Sequence, residues 1–283
     1  MVRYNMEDLI MSETCNHDCS NCSANCSDRQ IEKKTPLPTT KIKKIIGVLS
    51  GKGGVGKSMV SSLLAVELAK KGYKVGIMDA DITGPSIPKM FHIEGEAMGD
   101  NNCIYPNLSN EYGIKIVSVN MMLESEDTPV LWRGPIISGM VDQFYADVYW
   151  EELDYLVIDM PPGTSDVALS VLQDIPVDGL VMVSSASKLI SMVVSKAIVM
   201  AEKTNSKVIG LVENMSYIKC PNCDEEIKIY DESLTYETAK KYNLEVLGRI
   251  PLDTKLSNLA DNGLIENYQE NYIDGVVEAV INL

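Results

Sequence analysis

The chain has 283 residues, 45% hydrophobic and 23% charged, a composition that suits a globular protein with a sizeable core. A formal net charge of −15 argues against a nonspecific phosphate-backbone binder, which needs clustered Lys and Arg, so no nucleic-acid partner is expected. The first residues lack the apolar region of a signal peptide, and no run of about eighteen apolar residues occurs; no membrane association is expected, and the cytoplasm is the expected compartment.

Residues 1–40 form a polar, cysteine-rich segment. Cys15, Cys19, Cys22 and Cys26 supply four thiolates within a dozen residues. Their spacing also fits one face of a helix, but the intervening Asn16, Asp18, Ser20, Asn21 and Ser23 are poor helix formers. Ferredoxin-like cluster ligation is therefore the preferred reading, with Zn²⁺ as the main rival. The prolines and threonines of Lys33–Thr40 read as an extended linker, so the second domain is expected over 41–283.

From Ile45 onward, short apolar runs alternate with helical ones. Ile45–Leu49 reads as a buried strand, and Met59–Ala69 as a helix. Further strands are expected at Lys74–Asp79, Ile114–Val119, Leu153–Asp159, Gly179–Val183, Lys207–Val212 and Leu244–Ile250. Helices are expected at Ile136–Trp150, Val167–Leu172 and Leu189–Lys203. Near-continuous apolar strands between helices predict an α/β fold: a mostly parallel sheet with helices on both faces. The apolar stripe of Tyr272–Ile281 carries Asp274 and Glu278 rather than basic residues, so it is expected to pack on the sheet.

Between the first strand and helix lies Gly51-Lys52-Gly53-Gly54-Val55-Gly56-Lys57-Ser58, a G-x-x-x-x-G-K-[ST] phosphate loop in its required context. Its glycines let the backbone N–H groups wrap a phosphate, and the helix adds its positive N-terminal end. Lys57 would contact the β- and γ-phosphates of ATP, and Ser58 would hold Mg²⁺. Asp159 ends an apolar strand and suits the Walker-B role, while Gly163 could turn a backbone N–H toward the γ-phosphate. Asp79 and Asp81 point the same way at another strand end, where one could support the metal and the other orient the attacking water. Lys52 is a second lysine within the loop; one nucleotide does not need it, but a cation can be supplied across a subunit interface.

Cys220-x₂-Cys223 is a soft-metal half-site, because two thiolates cannot close a tetrahedral centre. The only histidines, His17 and His92, are distant in sequence. A symmetric homodimer would bring four thiolates together for a shared 4Fe–4S cluster or Zn²⁺. A redox pair and a structural zinc knuckle are the competing readings. Cys103 reads as a small core or loop residue.

The phosphate loop resembles the deviant Walker A of the SIMIBI class, which includes Min-type and ParA ATPases and nitrogenase iron protein. Taken with Asp79-Ala80-Asp81-Ile82-Thr83-Gly84-Pro85-Ser86, Asp159-Met160-Pro161-Pro162-Gly163-Thr164-Ser165-Asp166, Glu213-Asn214-Met215-Ser216 and Cys220-Pro221-Asn222-Cys223, it resembles the Mrp/ApbC family of iron–sulfur cluster carrier ATPases. The resemblance implies that Lys52 reaches the partner subunit's nucleotide, Asp81 serves water activation and Asn214 reads the adenine, with Arg249 near the base. It favours a bridging cluster at Cys220 and Cys223, ATP hydrolysis, and apo iron–sulfur proteins as acceptors. Ser184-Ser185-Ala186-Ser187 departs from the family's usual Thr-Thr-Pro-Gln. The alternatives are a Min- or ParA-like positioning ATPase and an ATP-driven reductase resembling nitrogenase iron protein.

Overall fold

The apolar run at Ile45 lies within β1 (Lys41–Ser50), whose first half is partly exposed and whose last six residues are buried. The computed structural model describes residues 33–283 apart from 82, 83, 85, 96, 101, 102, 123–133, 224, 231 and 232; the side chains of 120, 122, 134, 135 and 188–192 also fall outside the description. Cys15, Cys19, Cys22 and Cys26 lie outside the described residues. After β1 come α1 (Lys57–Lys70), β2 (Val75–Asp79), α2 (Ile87–Met90), β3 (Asn107–Leu108), β4 (Lys115–Ser118) and α3 (Gly134–Ala146). The middle of the chain supplies β5 (Glu152–Asp159), α4 (Asp166–Asp174), β6 (Gly179–Ser185), α5 (Lys188–Lys203), β7 (Val208–Asn214), β8 (Tyr217–Lys219) and β9 (Glu226–Lys228). It closes with α6 (Leu234–Lys241), β10 (Val246–Arg249), α7 (Thr254–Asp261) and α8 (Asp274–Ile281).

Eight strands form one sheet in the order β10-β7-β6-β1-β5-β2-β4-β3. Every pairing is parallel except β3 with β4 at the edge. The expected α/β architecture is therefore the one found. Strand alternation sends Ile46, Val48, Ile77 and Val157 into a core shared with α1, α7 and α8. Ile45, Leu49, Met78 and Ile158 face the opposite core, shared with α3, α4, α5 and α6. Burial on both faces explains why these strands read as continuous apolar runs.

Register decides what meets at the carboxyl edge. Asp159 of β5 lies beside Val48 of β1 and Asp79 of β2, which places both aspartates next to the loop that leaves β1. On the other side of β1, Ser184 pairs with Glu213 and Ser185 with Asn214, while Arg249 pairs with Glu213.

Four findings refine the expectations. The helix expected to run to Trp150 stops at Ala146: Ile104 pairs with Val148, and Trp150 is buried with its Nε1 donating to Phe144 O at 3.0 Å. A buried indole needs a hydrogen-bond partner, and a turn supplies it where a continuing helix would not. The Lys33–Thr40 stretch begins on the body of the fold: Lys33 Nζ donates to Leu172 O and Ile175 O at the end of α4, and burial lowers its pKa. The C-terminal stripe does pack inward, with Val276, Val277 and Val280 buried. Finally, β8 and β9 form a separate two-stranded antiparallel hairpin outside the main sheet.

Candidate nucleotide site and cysteine hairpin

The phosphate loop leaves β1 at Ser50 and enters α1 at Lys57. Gly54 and Gly56 both hold φ of 79°, a left-handed conformation that a side chain rarely adopts. At Gly56 space is also closed, since a Cβ would stand 2.0 Å from Asn214 Nδ2. Gly51 is also closely packed, with a Cβ position 2.5 Å from the Val193 backbone. No acidic residue occupies the first turn of α1, so its positive end stays available to an anion.

Beneath the loop a cation and carboxylates are gathered. Lys57, 5% exposed, places Nζ 2.8 Å from Asp159 Oδ1 and 3.3 Å from Asp81 Oδ2. The two ion pairs hold the buried ammonium between the carboxylates. Burial alone would lower the Lys57 pKa; Asp159 and then Asp81 outweigh it and hold it above its usual value. Asp159 is fully buried and accepts from Ser58 Oγ at 2.6 Å and Ser61 Oγ at 2.7 Å. Asp79, also fully buried, accepts from Asp81 N and from Ser118 Oγ, both at 3.1 Å. Burial, then the nearby Asp159 charge, pushes the Asp79 pKa up to about 8.

This donor set fits the groups expected here. Hard oxygens from Ser58, Asp79, Asp81 and Asp159 suit Mg²⁺, and the loop's N–H groups with Lys57 suit the phosphates that carry it. Lys52 is exposed and makes no ion pair among the described residues. The Gly163 N–H donates to Ser50 O at 2.7 Å, bracing the loop at its root. Asn214 is buried and its Nδ2 donates to Val55 O at 2.9 Å, so it touches the phosphate loop itself. Arg249 lies farther off: its Nε donates to Ser216 Oγ at 3.1 Å and its guanidinium sits 4.8 Å from the Tyr217 ring centre. A cavity of about 660 Å³ at the opposite edge of the sheet holds none of these groups; Lys115 there is paired with Glu151.

Cys220 and Cys223 stand at the tip of the β8–β9 hairpin, the first half-buried and the second exposed, and neither is in a disulfide. Cys220 N donates to Glu225 O at 2.9 Å and closes the tip. Among the described residues, no third His, Cys, Asp or Glu joins them in a group able to hold a metal.

Ser61 and Ser118 were not singled out from the sequence. Ser61 follows Ser58 by three positions, which puts both hydroxyls on one helix face, and that spacing was a usable signal. Ser118 carried none, because its contact with Asp79 depends on the pairing of β4 with β2.

A family model of the ParA type, described as the NUBPL iron-transfer P-loop NTPase, matches residues 41–282. The chain belongs to this family. An iron-sulfur cluster carrier protein of Clostridium perfringens is 46% identical over 235 residues, 80% of this chain and 82% of the relative. A second, from Methanococcus maripaludis, is 42% identical over 90% of this chain and 91% of its own. Among solved structures, the nucleotide-binding protein of Archaeoglobus fulgidus in complex with ADP is 45% identical, with a TM-score of 0.74 over 82% of this chain and 91% of that one. The MinD cell division ATPase of Pyrococcus furiosus aligns with a TM-score of 0.58 at 17% identity over 85% of this chain and 99% of that one, which shows a shared fold alone. In this NUBPL-type NTPase, the Ser184–Ser187 departure falls where β6 ends and α5 begins. Ser184 and Ser185 continue β6, and Ser187 stands at the N-cap of α5 without a side-chain capping bond.

Proposed function

We propose that this NTPase is an ATP-dependent iron–sulfur cluster carrier, which holds a cluster as cargo and passes it to apoproteins in the cytoplasm. The observation that carries the reading is the joining of two unlike sites on one sheet edge. A phosphate loop with Lys57, Ser58 and Asp159 lies on one side of Asn214, and a two-thiolate hairpin begins three residues beyond it. Relatives of near-equal length bear the carrier name, which supports the same cargo here.

In this account the loop N–H groups and Lys57 bind the β- and γ-phosphates, and Asp81 orients the attacking water. Ser58, with Asp159 and Asp79 behind it, would hold Mg²⁺, which when bound neutralises developing phosphate charge. Lys52, exposed and unpaired, reaches the nucleotide of a second copy. Pairing of the two copies also brings two Cys220/Cys223 hairpins together, giving the four thiolates that a 4Fe–4S cluster requires. Cys15, Cys19, Cys22 and Cys26 would hold a second cluster, with Zn²⁺ as the rival metal at either cysteine site.

The test is anaerobic reconstitution of the full chain with iron and sulfide, followed by transfer to an apo-ferredoxin with and without MgATP. The Cys220→Ala/Cys223→Ala double variant should keep ATP binding and lose transfer. Normal transfer by that variant, or stoichiometric Zn²⁺ with no labile iron in the wild type, would remove the cargo assignment.

A further inference from the structure

One turn at the end of β7 touches both sites. Asn214 donates to the phosphate loop at Val55 O, and its neighbour Glu213, buried, accepts from Ser216 Oγ at 2.5 Å and from Ser233 Oγ. Met215, the next residue after Asn214, holds a φ of 52°, a region methionine seldom enters, so the turn has one tightly specified shape. Backbone bonds tie it to the end of β10: Ile250 N donates to Glu213 O and Ser216 N to Ile250 O, both at 2.9 Å. The hairpin starts at the next residue, Tyr217, whose carbonyl accepts from Leu252 N at 2.8 Å.

Arg249 closes the connection. Its Nε donates to Ser216 Oγ, its guanidinium covers the Tyr217 ring on β8, and its terminal nitrogen lies 3.2 Å from Glu226 on β9. One planar group therefore touches the turn and both strands of the hairpin, a few residues below the thiols. The Glu226 contact is half exposed and weak alone. The contacts to Ser216 and Tyr217, both buried, need a flat guanidinium with a fixed Nε donor, which lysine cannot replace.

We propose that Arg249 is the positioning residue for the cysteine pair: it makes the orientation of the Cys220–Cys223 hairpin depend on what the phosphate loop holds. Filling the loop moves the Val55 carbonyl that anchors Asn214, the turn shifts with it, and Arg249 carries the shift to both hairpin strands. The inference rests on the carrier reading only in taking Cys220 and Cys223 as the working pair.

The experiment uses the full chain, reduced and metal-free, and reads the alkylation rates of Cys220 and Cys223 by peptide mass spectrometry. Rates are taken without nucleotide and with saturating MgADP, and Cys103 serves as an internal reference. Wild-type protein should show a nucleotide-dependent rate change of about fivefold or more, the lower end of coupling between linked sites. Arg249→Ala should bring that ratio close to one while MgADP, at a concentration shown to saturate the variant, is still bound. Arg249→Lys should not restore it. Ser216→Ala should weaken it and serves as the second variant if Arg249→Ala fails to fold. An undiminished ratio in Arg249→Ala, or thiols indifferent to bound nucleotide in the wild type, would overturn the proposal. Iron uptake measured on the same samples is a separate readout: its failure would count against the cargo assignment and leave the coupling result standing.

Discussion

At Asp159 two serine hydroxyls and a lysine ammonium converge on one fully buried carboxylate. Such a cluster holds together because each charge has a partner; removing one leaves the others stranded in a poorly solvating interior. Lys57→Met is accordingly expected to abolish ATP hydrolysis and to destabilise the nucleotide-free protein by about 3 kcal/mol. Urea denaturation and phosphate release check both, and an unchanged midpoint would show that the pair adds nothing to stability. Asp79 makes a different prediction. Its pKa near 8 in the fold, against the usual 3.8 of an exposed aspartate, means that folding takes up a proton between those pH values. The stabilising state is thus the protonated one: stability from this group is full below pH 4, falls as pH rises toward 8, and levels off beyond. In metal-free protein the slope should approach, at most, about 1.4 kcal/mol per pH unit. Asp79→Asn should flatten the dependence between pH 5 and 8. Equal slopes for the two proteins in chelator-treated denaturation series would contradict the assignment.

Among the elements, the phosphate loop depends on backbone shape as much as on side chains. Gly56→Ala forces a side chain into a left-handed position and against Asn214 Nδ2, so a loss of about 1–3 kcal/mol is expected, with weakened nucleotide binding. Gly53→Ala is the control, since nothing lies within 4 Å of its Cβ position. Thermal unfolding of the pair should separate them, and equal melting temperatures would refute the steric argument. The loop was legible in the sequence because its chemistry is local: eight consecutive residues between a strand and a helix carry it. The sheet was legible for a related reason, because strands buried on both faces leave long apolar runs. Elements shorter than a period were not. The β8–β9 hairpin has three residues per strand, with Ile218 and Ile227 paired but exposed, so it left no burial pattern around its cysteines. The two-residue β3 and the single turn of α2 escaped for the same reason. The eight-residue α6 and α7 are long enough to show a period but bury only two or three residues each, which leaves too sparse an apolar stripe.

At the scale of the molecule, residues far apart in sequence meet through strand order. Asp79 and Asp159 are neighbours only because β5 inserts between β1 and β2, and Arg249 reaches the hairpin only because β10 pairs with β7. The sequence therefore named Asp79, Asp159, Asn214 and Arg249 as candidates without saying which would touch. The structure gathers Asp79, Asp81 and Asp159 around Lys57, sets Asn214 on the loop and places Arg249 beneath the cysteines. On the proposed reading, a phosphate site completed by a partner's Lys52 and a thiolate site completed by a partner's hairpin would ask for the same event, the pairing of two copies. Native mass spectrometry of reconstituted protein with MgATP, wild type beside Cys220→Ser/Cys223→Ser, tests that claim most directly. The account predicts a wild-type dimer carrying one more 4Fe–4S cluster than the variant dimer. Equal cluster content in the two proteins, or a wild type that stays monomeric while its hairpin cysteines hold iron, would contradict it.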